Sequence, residues 1–246
     1  MLLHGLTGSS SFWGGAYDAL ADGRQVLVPD LLGFGRSDRP ETGYGPDEHA
    51  AAVATALAAL EVTGPAVIGA HSLGTVVALR LAATRPDLVK RIVAFGPPLY
   101  PDADTARARI GSMSPMARLL VLPGSAARVV CELMCEHRAL ASRLSVLINA
   151  SMPPAIAADA VQHSWPSYSQ TSERCLLTGA PSTWLDVLSC DVDLVAGRDD
   201  PVVDHDHLDT LDRIHDHVTV ERWDGDHRLS LTHTDEVIEK LRRAGG

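Results

Sequence analysis

The chain has 246 residues, 46% of them hydrophobic, and a formal net charge of −10 from 21 basic and 31 acidic side chains. This length suits one α/β domain carrying an insertion, and the apolar content argues for a sizeable core and against disorder. An acidic chain with no Lys/Arg block is not expected to bind nucleic acid or an anionic membrane, and no apolar run approaches the roughly 18 residues of a membrane span.

No secretory leader is visible at the start, and Cys131, Cys135, Cys175 and Cys190 show no CxxC spacing. Buried thiols in a reducing cytoplasm are therefore expected.

In chain order, MLLHG reads as a clipped apolar strand, SSSFWGGAYDALA as a helix after several candidate caps, and RQVLVPD as a β-branched strand. DEHAAAVATALAALEV reads as an Ala-rich helix. PAVIGA, LGTVVALRLAATRPDLV and RIVAFGPP then give strand, helix, strand. Such alternation predicts βαβ units and a mostly parallel sheet, and the unbroken runs VLV, AVI and IVAF predict strands buried on both faces.

From Asp102 to Ala180 no strand is evident. Helical apolar clusters there (MARLLVL, ARVVCELM, LASRLSVLI) are broken by MSP, LPG and MPP, and four of the five methionines lie among them. The strand pattern resumes in CDVDLVAGRDDP and HVTVERW, and DEVIEKLRRA forms a last amphipathic helix. The expected organisation is a core over residues 1–101 and 181–246, with a helical insertion over 102–180.

The chemistry centres on GAHSLG, where Ser72 stands between a buried strand and a helix. Ser72 suits an ordinary N-cap, and it equally suits a nucleophile held out on a sharp turn. A nucleophilic Ser needs a base, an orienter for that base, and N–H donors at the future oxyanion. Among 11 histidines, His227 is the candidate base, because it follows the last strand in a Gly-containing loop. The strand before it ends in GRDDP, offering Asp200, or Asp199, as the acid that fixes the imidazole tautomer. One oxyanion donor is the Leu73 N–H at the helix N-terminus. The other is the Leu6 N–H in the HGLTGS loop after the first strand.

Ser72, Asp200 and His227 occur in that order, each just after a predicted strand. At LLHG, PDLLGFGRSD, GAHSLG, GRDDP and GDH, the sequence resembles the α/β-hydrolase fold superfamily over nearly its whole length. The resemblance implies a nucleophile elbow at Ser72, an acid at Asp200 and a helical cap over the site. It also implies a mainly structural role for the turn holding Asp30, Arg36 and Asp38. Two departures stand out: Ala70 replaces the first Gly of GxSxG, and just Met1-Leu2-Leu3 precede the HG motif where two earlier strands are usual, so that either the start is truncated or the sheet lacks those strands. In the second case RQVLVPD is expected to be an exposed sheet edge, giving a homodimer or poor solubility.

Ser at position 72 argues against dehalogenase or epoxide hydrolase chemistry, which in this superfamily uses Asp there. No metal motif and no GxGxxG is present, so neither a metal nor any other cofactor is expected. The expected activity is serine hydrolysis of a carboxylic ester or related acyl compound with a small or medium apolar group. Carbon–carbon bond, lactone or thioester cleavage would use the same triad, and a hydrolase-like ligand-binding protein with little turnover is the alternative of another class. Phe12, Trp13, Met113, Met116, Trp165 and Tyr168 are candidate pocket residues, with core packing the competing role for the aromatic ones.

Overall fold

The computed structural model describes residues 1–113, 125–150 and 152–246. Five strands form one sheet in the order β1-β2-β3-β4-β5, and every neighbouring pair is parallel. They are β1 (Leu2–Leu3), β2 (Ala66–His71), β3 (Val89–Phe95), β4 (Asp191–Gly197) and β5 (Val218–Trp223).

Alternation along these strands divides the core in two. Ile92 and Ala94 of β3 join Ile68, Ala70, Leu194 and Ala196 on one face, while Val93 and Phe95 join Leu2 and Val195 on the other. Helices α1 (Pro46–Ala59) and α2 (Leu73–Thr84) cover the first face. The second is covered by Val237, Ile238 and Leu241 of the C-terminal helix (Thr234–Gly245) with Tyr17 and Leu20. Both faces are thus buried, which is why the strands are nearly continuous apolar runs.

Between β3 and β4 the described residues form helices and turns without a strand: α3 (Ala103–Ser112), α4 (Ser125–Glu136), α5 (Arg138–Ile148), α6 (Pro154–Asp159) and α7 (Trp165–Thr171). After β4 come α8 (His205–Ile214), the short α9 (Leu229–Thr232) and α10, the C-terminal helix already described. Among the described residues no helix is long and apolar enough to cross a membrane.

Two expectations are corrected. RQVLVPD is extended but not a strand; its one backbone hydrogen bond to the sheet runs from the Leu2 N–H to the Leu27 carbonyl (2.8 Å). A two-residue β1 offers too few groups for a ladder. The segment is held instead by side chains, with Leu27 packing on one core cluster and Val26 and Val28 on the other. SSSFWGGAYDALA forms two short 3₁₀ turns, Ser10–Phe12 and Gly15–Ala21, because Gly14 at φ 60° interrupts it.

Four buried histidines tie loops to this core. The His4 ring bridges two loops: its Nδ1–H donates to the Gly5 carbonyl (2.8 Å), and its Nε2 accepts from the Leu31 N–H (2.9 Å). Burial lowers the pKa of His4, His49 and His163 to about 4 and that of His71 to about 3. Folded-state values below the unfolded ~6.5 mean that, between those limits, the unfolded chain binds protons the native state refuses. Stability is therefore present above pH ~6.5 and lost as pH falls toward 4, by at most about 1.4 kcal/mol per pH unit per histidine. The urea midpoint should fall steadily from pH 7 to pH 5; an unchanged midpoint would show that these rings are charged in the folded protein.

Candidate active site

β2 hands over to α2 in a single residue. Ser72 sits at φ 50°, ψ −119°, a conformation that a residue with a Cβ adopts only when its surroundings hold it there. Backbone bonds do the holding: the Ser72 N–H donates to the Phe95 carbonyl (3.0 Å), and the Ser72 carbonyl accepts from the Thr75 N–H (2.8 Å). The side chain makes no N-cap bond, so the capping role open in the sequence is not the one adopted. Gly74 is required by packing, since a Cβ there would lie 2.6 Å from the Leu3 carbonyl oxygen.

The loops after β4 and β5 meet above β3. Asp200 is fully buried; its Oδ1 accepts from the Val202 N–H (2.9 Å) and its Oδ2 from His227 Nδ1 (2.8 Å). Asp199 is exposed, its N–H donating to the Gly225 carbonyl (3.0 Å). The structure thus separates the two aspartates that spacing leaves equivalent. With Nδ1 as donor, neutral His227 keeps its lone pair on Nε2, the tautomer a general base needs. Gly96, at φ 60°, underlies this pair: a Cβ there would lie 2.9 Å from His227 Nδ1 and 3.1 Å from Asp200 Oδ2.

The HG loop lies against the elbow. A Cβ on Gly5 would stand 2.8 Å from His71 Nδ1 and 3.2 Å from the Ser72 Cβ. Leu6 follows in a turn closed by the Gly8 N–H on the Gly5 carbonyl (3.0 Å), and Leu73 is the first residue of α2, whose leading N–H groups lack helical partners. The loop is clamped from two sides. The Ser9 and Ser11 hydroxyls both donate to Asp159 Oδ2 (2.6 and 2.7 Å) at the end of α6, and the Ser10 N–H donates to Asp30 Oδ1. Burial raises the Asp30 pKa, but the Arg36 and Ser10 hydrogen bonds outweigh it and leave the carboxyl below its ordinary value. Asp30 is a structural brace, as the sequence suggests.

The candidate pocket residues divide. Phe12 stacks on His71, with ring centroids 4.4 Å apart, beside the elbow. Trp13 is buried edge-on between Phe12 and Tyr17 in the core. Tyr168 packs with Trp165 and with His163, which in turn contacts Phe34. That cluster joins the helices to the Asp30–Asp38 loop through Phe34. Met113 is 45% exposed at the end of α3, and Met116 lies outside the described residues. Among the described residues no three His, Cys, Asp or Glu side chains group to hold a metal ion.

Sequence reasoning missed His71, Gly96 and Asp159. His71 was in view inside GAHSLG, but its partner is 156 residues away. Asp159 carries no local signal at all.

Comparison with known proteins agrees with this architecture. An uncharacterised protein of Mycobacterium tuberculosis is 37% identical over 93 residues, 38% of this chain and 27% of that one. The 2-(acetamidomethylene)succinate hydrolase of Mesorhizobium japonicum is 34% identical over 117 residues, 46% of this chain and 42% of that enzyme. The matched stretches thus span less than half of either relative. A Rhodococcus esterase structure superposes with a TM-score of 0.74 at 22% identity, covering 98% of this chain and 88% of that one. The family model for the alpha/beta hydrolase fold matches residues 1–233. The chain belongs to the α/β-hydrolase fold family.

Proposed function

We propose that the protein is a serine hydrolase that cleaves a carboxylic ester, or a related acyl compound, through an acyl-enzyme on Ser72. Two features at the C-terminal ends of parallel strands support this reading. Ser72 is held at positive φ with no partner for its Oγ among the described residues, and a buried Asp200 orients the His227 ring.

In the proposed cycle His227 Nε2 takes the Ser72 proton as Oγ attacks the acyl carbon. The Leu6 and Leu73 N–H groups receive the negative oxygen. Asp200 stabilises the imidazolium, which then protonates the departing alkoxide, leaving an acyl-enzyme. Water, deprotonated by His227, attacks the acyl carbon, and Ser72 leaves with its proton restored. Residues 102–180 serve as the cap that shapes an apolar substrate site. Four free cysteines support a reducing, cytoplasmic setting. The extended edge at residues 25–30 is where two copies would pair, giving a sedimentation coefficient that rises with concentration.

Hydrolysis of short and medium p-nitrophenyl acyl esters tests the reading. Ser72→Ala should lose at least about 10³-fold in kcat, with wild-type folding. A folded wild-type protein no faster than that variant sinks ester hydrolysis by this triad.

Gly96→Ala should lose more than tenfold in kcat/KM, because its methyl displaces the His227–Asp200 pair. Activity equal to wild type would show that the pair is not held by this contact. Asp159→Ala should lower kcat more than it raises KM by freeing the Ser9–Ser11 loop, and an unchanged kcat would remove Asp159 from the oxyanion support.

A further inference from the structure

We propose that His71 is a positioning residue that holds the His227 loop in place by donating its Nε2–H to the His227 backbone carbonyl. This rests on the reading of His227 as the base. The Nε2–oxygen distance is 2.9 Å and the two rings lie 4.8 Å apart.

A carbonyl only accepts, so the proton must reside on His71 Nε2. The bond joins elements that the sheet keeps apart, since β3 and β4 lie between the nucleophile strand β2 and β5, which leads to His227. Backbone bonds fix the start of the His227 loop, from Arg198 N–H to the Trp223 carbonyl and from Asp199 N–H to the Gly225 carbonyl. Beyond Gly225, at φ 128°, Asp226 Oδ1 accepts from the Arg228 N–H (2.8 Å), and between those two residues the His71 bond holds the His227 carbonyl itself.

The surroundings suit a neutral donor. Phe12 stacks on the His71 ring at an interplanar angle of 24°, and the ring is 7% exposed. Its Nδ1 is buried with no hydrogen-bond partner and faces the Cα of Gly5, where a side chain would collide with it. A second ring proton would therefore have no acceptor. Burial, then the nearby His227, lowers the pKa to about 3. With its free Nδ1 turned to Gly5 and its basicity lowered by burial, His71 does not compete for the Ser72 proton, and uncharged it does not repel the positive charge that develops on His227 during turnover. Lysine or arginine could donate equally well but would place a permanent charge beside that ring.

The experiment compares three substitutions at one position. His71→Gln places an amide N–H near the reach of Nε2, His71→Asn falls short of it, and His71→Leu fills space without a donor. We expect kcat for p-nitrophenyl ester hydrolysis to fall about 10- to 100-fold in the Asn and Leu variants, with KM changed less than about twofold. The Gln variant should recover to within about threefold of wild type. A second readout does not need turnover: the downfield NMR resonance of the His227 Nδ1 proton shared with Asp200 should persist in wild type and the Gln variant. It should broaden or vanish in folded Asn or Leu variants.

Should the Leu variant fail to fold, the Gln–Asn pair alone decides. Equal kcat and equal downfield signals in Gln and Asn would overturn the proposal. If wild type neither turns over esters nor reacts at Ser72 with a fluorophosphonate, the hydrolase reading fails, and the NMR comparison still decides the His71 tie.

Discussion

The backbone turn at Ser72 is the constraint around which the rest of the structure is arranged. A non-glycine residue at φ 50° costs on the order of 1–3 kcal/mol and survives only where neighbours over-determine it. Here the neighbours are the Phe95 carbonyl, the Thr75 N–H, and two glycines, Gly5 and Gly74, whose missing side chains let β1 and its loop press against the elbow. The same close approach sets the HG loop, with Gly5, directly against His71 and Ser72. Close packing around a strained turn is a structural demand with a chemical result.

Neutral histidine recurs as the means of joining loops to this turn. His4 ties the HG loop to the Asp30–Asp38 loop, and His49 meets Thr171 of α7 (3.0 Å), joining α1 to the helical insertion. His71 ties the elbow to the loop of His227. A neutral imidazole can donate from one nitrogen and accept at the other while burying a flat apolar ring. It therefore suits sites where two loops cross in a dry interior. In this fold the cost appears as sensitivity to acid.

Much of the fold was legible because it is local. Apolar runs bounded by Gly, Pro and Asp placed all five strands and one that does not form, and helical apolar spacing placed α1, α2 and α10. RQVLVPD misled because β-propensity describes a residue's fit to a pleated, half-buried surface, not the presence of a partner. Its side chains do alternate between the two core clusters as a strand's would, yet β1 is too short to pair with it. For the aromatic residues composition left pocket and packing roles open; the structure adds that Tyr168 packs with His163 and Trp13 with Tyr17.

By itself the sequence determined the order and type of the elements, the family, and the candidates Ser72, Asp200 and His227, because each follows a recognisable strand. Spacing alone could not separate Asp200 from its fallback Asp199, which differ by one residue in chain position but by full burial in space. Nor could it show that Ser72 declines the N-cap bond, that Gly96 lies under the His227–Asp200 pair, or that His71 meets the His227 carbonyl. Those are contacts between residues tens to more than a hundred positions apart, created only when parallel strands bring their C-terminal ends together at one edge.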